Sequence, residues 1–255
     1  MSVYLFIKRI TFALAFIAIS VLLSSCGSTQ ELIDSELTAE KRFNIAYKNY
    51  QEGDYLEAET DFRAIIGTFP LSPYASESQL LLADTLYSMQ EYEDAASYYT
   101  TFMTLNPSHQ RADYALFQKA MCHVKNMRSI ERDQKETRKA IFAFKDLINF
   151  YKNSKYAPKA KEMIVYLDGK LAEREFHIGY FYFKEKNYNG ALARFRNVLR
   201  DYSNAPVVDK TLYFITESYL KLGEIALAKD AFKTLKNSFP DSPYVDKVSR
   251  RARES

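Results

Sequence analysis

Glycine and proline are scarce in this sequence, and tryptophan is absent. The 255 residues include 7 Gly, 7 Pro and no Trp, but 20 Tyr and 18 Phe. Because Gly and Pro supply the backbone conformations of tight turns, a fold of many short strands and hairpins is disfavoured. Hydrophobic residues make up 47% of the chain and charged residues 26%, as in an ordinary globular protein. The composition therefore predicts an all-α fold of long, aromatic-rich helices.

Residues that could support catalysis are also few. The three histidines, His109, His123 and His177, are scattered, and no Gly-x-Ser-x-Gly, His-Glu-x-x-His or glycine-rich phosphate loop occurs. Glu173 and His177 could share a helix face, but one such pair is more often a surface contact than a metal site. Cys122 adjoins His123, yet consecutive helical residues point about 100° apart. We expect no enzymatic activity, no cofactor and no metal.

The first 25 residues have the pattern of a secretory signal peptide. Lys8 and Arg9 precede an apolar run of 14 residues, from 10 to 23, whereas a transmembrane helix needs about 20. The run ends in Leu-Ser-Ser-Cys, residues 23 to 26, which resembles the bacterial lipobox. In a lipobox the cysteine becomes the acylated first residue of the mature chain. An ordinary cleavage site followed by a free cysteine is the alternative.

Lipidation of Cys26 would set the organisation of the remaining chain. Residues 1 to 25 would be removed, residues 26 to 37 would form a lipidated tether, and residues 38 to 255 would form the folded part. Acyl chains on the N-terminus would anchor the protein firmly to a membrane. Cys122 would then be the one cysteine left, so no intramolecular disulfide could form even in an oxidising compartment.

Charge is distributed unevenly along the chain. Residues 31 to 100 contain 14 acidic and 4 basic residues, whereas residues 101 to 255 contain 18 acidic and 29 basic residues. These charges could simply solvate helix faces. Otherwise, the basic part would bind an acidic partner or face anionic lipid. Nucleic acid is not expected as a partner of an exported chain.

The exported part contains an internal repeat. In each copy a small residue is followed four positions later by an aromatic residue and seven positions later by an apolar one, which places all three on one helix face. The five sets are Ala58/Phe62/Ile65, Ala95/Tyr99/Phe102, Ala140/Phe144/Leu147, Ala191/Phe195/Val198 and Ala228/Phe232/Leu235. A second column of small residues precedes them and consists of Ala46, Ala83, Ala120, Gly179 and Thr216. These small residues would let two antiparallel helices approach closely.

Successive small residues of the second column are 37 residues apart, as from Ala46 to Ala83 and from Gly179 to Thr216. This spacing is interrupted twice. Eight extra residues fall in the polar stretch 123 to 138, which predicts a longer turn inside the third repeat. Fourteen extra residues precede the fourth repeat, and they predict one long helix from Lys159 to about Glu185, with Gly169 as its weak point. The predicted repeats lie near residues 39–75, 76–112, 113–155, 156–207 and 208–250.

Helix pairs of this kind resemble the tetratricopeptide repeat, which has about 34 residues per unit. A proline ends the second helix and a Ser-Pro pair starts the next, as in the similar phrases Phe69 to Ala75 and Phe239 to Val245. The fold class expected is all-α, a superhelical array of about five tetratricopeptide-like helix pairs. First-helix side chains would line its groove.

Six first-helix residues are candidates for a groove that binds a client polypeptide. They are Phe43, Tyr47 and Tyr50 in the first repeat and Leu80, Asp84 and Tyr87 in the second. Burial between neighbouring repeats is the alternative for these side chains. If they are exposed, the tyrosines would suit an extended peptide with aromatic side chains.

The order of these features resembles the BamD family, the lipoprotein subunits of the β-barrel assembly machinery. The lipobox, the five repeats, and the phrases Phe69 to Ala75, Arg132 to Lys135 and Leu199 to Tyr202 support this resemblance over essentially the whole mature chain. It implies a non-enzymatic protein, lipid-anchored on the periplasmic face of the outer membrane. Its implied partners are the last POTRA domain of a BamA-like barrel subunit, other assembly lipoproteins, and unfolded outer membrane proteins.

The resemblance also implies where the barrel subunit binds. The family's arginine for the acidic POTRA domain lies five residues before the Leu-Arg-Asp-Tyr run, which is Arg194 here. Arg196 stands where some relatives carry an acidic residue. Clients would bind at the N-terminal repeats.

Two other functions share parts of this pattern. A periplasmic tetratricopeptide scaffold for cell division or cell-wall maintenance would use similar repeats, but a coiled-coil segment would be expected, and no sustained heptad run occurs. A glycan-binding lipoprotein of the starch-utilisation type is generally much larger. The absence of Trp, the favoured platform for stacking sugars, also argues against it.

Replacing Cys26 by Ser is expected to abolish labelling with radioactive palmitate and to move the chain from the membrane to the soluble fraction, because serine cannot form the thioether that holds the lipid. Cys122→Ser should leave labelling and fractionation unchanged. A Cys26→Ser protein that stays labelled and membrane-bound would exclude the lipobox assignment.

Overall fold

The structure, a computed structural model, describes residues 38–130 and 132–254, and the side chains among them up to residue 249. The predicted signal peptide, Cys26 and the tether lie outside the described residues. The helices are α1 (Ala39–Glu52), α2 (Tyr55–Thr68), α3 (Pro73–Ser88), α4 (Tyr92–Leu105), α5 (Ala112–Lys125), α6 (Lys135–Phe150), α7 (Ala157–Lys184), α8 (Tyr188–Asp201), α9 (Val208–Leu222), α10 (Ile225–Ser238) and α11 (Pro243–Glu254). The all-α prediction is confirmed. Over the described part of the chain, none of these helices combines the length and the apolar character that crossing a membrane requires.

The chain divides into two compact units, residues 1–81 and 82–255, and the division falls within α3. In the first unit α1 packs on α2. In the second unit each helix from α4 to α10 packs on the next one, and α11 packs on both α9 and α10. Packing between sequence neighbours is typical of helix-pair repeats, in which each pair buries its apolar face against the adjacent one.

The predicted columns of small and aromatic residues form the core of each helix pair. Ala46, Ala83 and Ala120 are fully buried, and so are the aromatic residues of the first four repeats. In the fifth repeat Phe232 is only partly buried. Burial of one such aromatic side chain contributes roughly 1.5–3 kcal/mol to the free energy of unfolding. The contact between a small residue and an aromatic one, which we call the lock, therefore stabilises each repeat in turn.

Four of the five repeats use the same turn between their two helices. The first or second residue after the end of the first helix has a positive φ: Gly53 (91°), Gln90 (66°), Lys186 (60°) and Gly223 (78°). At the first of these turns the N–H of Gly53 donates to Tyr50 O, and that of Asp54 donates to Asn49 O at 2.9 Å. The other three repeat both bonds. This pair of bonds satisfies the last carbonyls of the helix.

The third repeat replaces this turn with the predicted insertion. Helix α5 ends at Lys125 and α6 begins at Lys135, so the helices extend into both ends of the polar stretch. The buried amide of Gln134 holds the loop together: its Nε2 donates to Ser129 O at 3.0 Å and to Arg132 O at 3.1 Å. Its Oε1 accepts from Thr137 Oγ1 at 2.9 Å. Gln134 therefore ties the insertion to the first turn of α6.

A Ser-x-Tyr phrase joins successive repeats. Ser154 Oγ accepts from the N–H of Tyr156 at 3.1 Å and donates to Asp113 at 2.7 Å, and Ser242 bonds Tyr244 and Asp209 in the same way. The tyrosine rings pack back on the preceding first helix, at 5.1 Å for Tyr74–Phe43, 5.0 Å for Tyr156–Phe117 and 5.2 Å for Tyr244–Tyr213. The phrase therefore caps a new helix and packs against the previous repeat at once.

The long helix predicted for residues 159–185 is observed as α7, Ala157–Lys184. It contains two glycines with different surroundings. A Cβ on Gly179 would lie 2.6 Å from Phe195 Cε1, whereas a Cβ on Gly169 would meet only Pro206 Cδ at 3.8 Å. Packing against the Phe195 ring of α8 therefore requires a glycine at position 179, whereas position 169 has room for a larger residue.

Gly179→Ala is expected to lower the free energy of unfolding by about 1–3 kcal/mol, because the Phe195 ring must leave its position. Gly169→Ala should raise it by about 0.5–1 kcal/mol, since alanine favours the helix and restricts the unfolded chain. Urea denaturation followed by circular dichroism measures both changes. Equal effects from the two substitutions would disprove the requirement for close approach at residue 179.

Candidate partner-binding surfaces

Phe43 and Tyr47 form an aromatic face on α1 in the first unit, which we call the α1 aromatic face. Their rings stack with centroids 6.1 Å apart and an interplanar angle of 4°. Phe43 is half-buried because its ring also contacts Phe62 and Tyr74. Tyr47 is 41% exposed. The arrangement is a stacked pair with a fixed inner ring and an accessible outer ring.

Tyr50 and Tyr87 lie at equivalent positions near the ends of α1 and α3. Each is half-buried and contacts a tyrosine across the turn, Tyr50 with Tyr55 at 6.0 Å and Tyr87 with Tyr92 at 5.2 Å. The fourth repeat has the same contact, made by an equivalent pair at 5.5 Å between centroids, Phe183–Tyr188. These aromatic pairs close the turns. Much of the Tyr50 and Tyr87 side chains is therefore buried and not available to a client.

Two of the predicted groove residues are corrected by the structure. Leu80 is fully buried, so its side chain is not available to a client. Asp84 is also buried, and its Oδ1 accepts hydrogen bonds from Tyr99 Oη at 2.5 Å and Tyr114 Oη at 2.9 Å. Arg111 Nη2 lies 3.5 Å from its other oxygen. Spacing alone could not distinguish this buried carboxylate from one on a solvated face.

The identity of residue 99 as tyrosine could have indicated from the sequence that a buried hydrogen-bond acceptor lies nearby. Tyr99 occupies the aromatic column of the second repeat, where phenylalanine stands in the other four copies. A hydroxyl buried there requires a hydrogen-bond partner. Burial raises the pKa of Tyr99, and the Asp84 carboxylate raises it further. Asp84 is thus a structural acceptor within the second unit.

Arg194 bridges two helices of the fourth repeat. Its Nη1 on α8 lies 3.3 Å from Glu175 Oε2 on α7, and its side chain is 40% exposed. Asn197 Nδ2 donates to the same carboxylate oxygen at 3.4 Å. The pair Arg42–Asp61, at 2.9 Å, occupies the same two columns of the first repeat with the charges exchanged. Arg194 therefore holds its helix pair together and still presents part of its guanidinium to solvent.

Arg196 makes a different set of contacts. Its Nη2 donates to Tyr219 Oη on α9 at 2.7 Å, and its guanidinium lies 6.0 Å from the centroid of that ring. Residues two apart on a helix point about 200° apart, so Arg194 and Arg196 face different neighbours. The structure does not bring the two arginines together into one site.

The structure also places Cys122 and the side chains of the types that bind metals. Cys122 is buried and free of any disulfide, and burial raises the pKa of its thiol to about 12. Within the same residues, no three His, Cys, Asp or Glu side chains form a group that could hold a metal ion.

The sequence matches known proteins over most of its length. Residues 35–235 match the family model YfiO, described as outer membrane lipoprotein. The outer membrane protein assembly factor BamD of Neisseria meningitidis serogroup A is 29% identical over 245 residues, covering 90% of this chain and 91% of that protein. BamD of Caulobacter vibrioides is 28% identical, covering 93% and 78%. A solved complex of the TPR2AB domain of yeast Sti1 is 13% identical, with coverage of 81% and 80% and a TM-score of 0.43.

Proposed function

The chain belongs to the YfiO family of outer membrane lipoproteins, and we propose that it is a non-catalytic subunit of the machinery that assembles outer membrane proteins. The observation that supports this most is the extent of the match: the family covers residues 35–235, and the assembly factors named BamD align with about nine-tenths of the chain. Its proposed roles are to bind a BamA-like barrel subunit, other assembly lipoproteins and unfolded outer membrane proteins.

The barrel subunit would bind through its POTRA region to the basic part of the chain. Residues 101–255 hold 29 basic and 18 acidic residues, which favours an acidic partner. Arg194 is the proposed contact, because Glu175 orients its side chain while part of the guanidinium stays open. A carboxylate of the partner could accept from the free donors. Arg196, held by Tyr219 on a different side of α8, would make a second and separate contact with the partner.

Unfolded clients would bind at the α1 aromatic face. Phe43 is held by Phe62 and Tyr74 and supports Tyr47, whose exposed ring offers a large apolar surface and a hydroxyl. In the same unit, Tyr50 contributes only the surface that its turn contact leaves open, and Leu80 contributes none. Tyr87 belongs to the second unit and would offer a client only the surface that its own turn contact leaves open. A covalent lipid on Cys26 would tether this face to the periplasmic side of the outer membrane.

Arg194→Glu is expected to reduce recovery of the BamA-like subunit at least tenfold when the tagged protein is purified from detergent-solubilised membranes. The reversal replaces an attraction to the acidic partner by a repulsion. Mass spectrometry of the purified complex measures the recovery. Unchanged recovery would exclude Arg194 as the contact.

The same reversal also places two carboxylates side by side in the helix pair, so a compensated variant is the control. Combining Arg194→Glu with Glu175→Arg should rebuild the bridge, since the first repeat carries this pair in the other order. If Arg194 contacts the partner, the compensated variant should still lose the barrel subunit. Its full recovery would show that Arg194 acts only by holding α7 and α8 together.

A photo-crosslinking residue at Tyr47 is expected to capture a peptide that carries the aromatic C-terminal strand of an outer membrane barrel. The same residue at Tyr166, a tyrosine of α7 that is 52% exposed against 41% for Tyr47, is the control. Competition with unlabelled peptide should remove the adduct at residue 47. Equal crosslinking at both positions would contradict a client site on α1.

A further inference from the structure

A cleft of about 920 Å³ lies in the second unit beside the insertion of the third repeat. We call it the charged cleft. Its acidic wall is the start of α4, where Glu91, Glu93 and Asp94 are exposed. Its basic wall comes from α5, the insertion and α6, and carries Lys119, His123, Arg128, Lys135 and Lys139, with the carboxylates Asp133 and Glu136 among them. Neither the α1 aromatic face nor Arg194 belongs to it.

The two walls do not neutralise each other. The ion pairs of the basic wall stay within it: Glu136 lies 2.7 Å from His123 Nδ1 and 2.8 Å from Lys139 Nζ. Within the described residues, no ion pair joins Glu91, Glu93 or Asp94 to the basic wall. Opposite charges therefore face each other across open space.

The basic wall gathers more positive charge than its own carboxylates balance. Lys119 is half-buried, and this burial lowers the pKa of its ammonium while Asp146 raises it and Lys139 lowers it further. Burial likewise lowers the pKa of His123, and Glu136 raises it. An anion in the cleft would relieve the repulsion between Lys119 and Lys139.

The rest of the lining is mainly polar, and Tyr92 and Ala96 are its apolar members. Thr100 and Thr101 donate their hydroxyls to backbone carbonyls one turn earlier, at 2.8 Å and 3.1 Å, and Ser97 lies beside them. The lining offers no extended apolar surface for an acyl chain or a row of aromatic side chains. A ligand that fits both walls is therefore polar and carries charges of both signs.

We propose that the charged cleft binds an extended polypeptide segment in which basic and acidic side chains alternate. Successive side chains of an extended chain point to opposite sides, so the basic ones would meet the acidic wall and the acidic ones the basic wall. This site goes beyond the proposed function, since it uses neither of the surfaces assigned there. A loop of an unfolded client and a tail of a companion subunit share the required chemistry.

Three peptides of equal length test the recognition directly, with fluorescence anisotropy on the full-length, detergent-solubilised lipoprotein. One alternates Lys and Glu, one has the same residues in two blocks, and one carries Gln in place of every charge. The alternating peptide is expected to bind about tenfold more tightly than the block peptide, and the neutral peptide should not bind measurably. Equal binding of the alternating and block peptides would overturn the proposal.

Reversing the charges of either wall tests whether the alternating peptide binds in the charged cleft. Glu93→Lys with Asp94→Lys, or Arg128→Glu with Lys135→Glu, should each weaken the alternating peptide about tenfold. Combining all four should restore binding to within about threefold, because a shift of one residue exchanges the two sides of an extended chain. Lys229→Glu with Lys233→Glu, exposed on α10, is the control and should have no effect. Failure of the combined variant to recover, with helicity intact, would overturn the proposal.

A photo-crosslinking residue at Thr101 distinguishes a client loop from a companion-subunit tail in cells. The control is the same residue at Thr234, which occupies the equivalent position of the fifth repeat and donates its hydroxyl to the preceding turn in the same way. A client would give a pulse-labelled adduct that disappears during a chase, whereas a companion subunit would give a persistent one. Either adduct should be lost when one wall is reversed. An adduct that survives the reversal, or none above the level at Thr234, would contradict the proposal.

Discussion

The fold depends on one contact, the close approach of the two helices in each repeat. That approach requires a small residue opposite a large aromatic one, as at Gly179, where the Phe195 ring would lie 2.6 Å from an added Cβ. The repeated turns and the Ser-x-Tyr joints hold the ends of helices that this contact has already placed side by side. Because each lock joins residues near in sequence, the array can be built from local interactions repeated along the chain.

The same helix interface explains why a binding residue can also be a structural one. Arg42–Asp61 and Glu175–Arg194 occupy matching positions with exchanged charges, so in the two repeats that carry an ion pair there the packing accepts either order. The sign at each position is then free to serve another purpose. In the fourth repeat the half-exposed member is the arginine, and this choice gives the basic part of the chain an oriented cation that an acidic partner could meet.

Much of the architecture could be predicted from the residues because helix periodicity and burial are local properties. The spacing of Ala191, Phe195 and Val198 identified a buried helix face, and the break in register predicted α7 to within two residues at each end. The turns were harder, since Gln90 and Lys186 adopt a backbone conformation that favours glycine and their side chains carry no signal of it. The insertion was placed correctly, but the role of Gln134 in closing it was not foreseen.

The sequence by itself determined the helical class, the repeat columns and the family, because these rest on periodic patterns that span most of the chain. Only the tertiary structure decided which side chains remain available. Leu80 proved buried, Asp84 became the acceptor for Tyr99 and Tyr114, and Arg194 found Glu175 on the adjacent helix. The charged cleft could not be predicted from the sequence either. Burial and the pairing of charges depend on which residues of other helices come close, and no spacing along one helix encodes that.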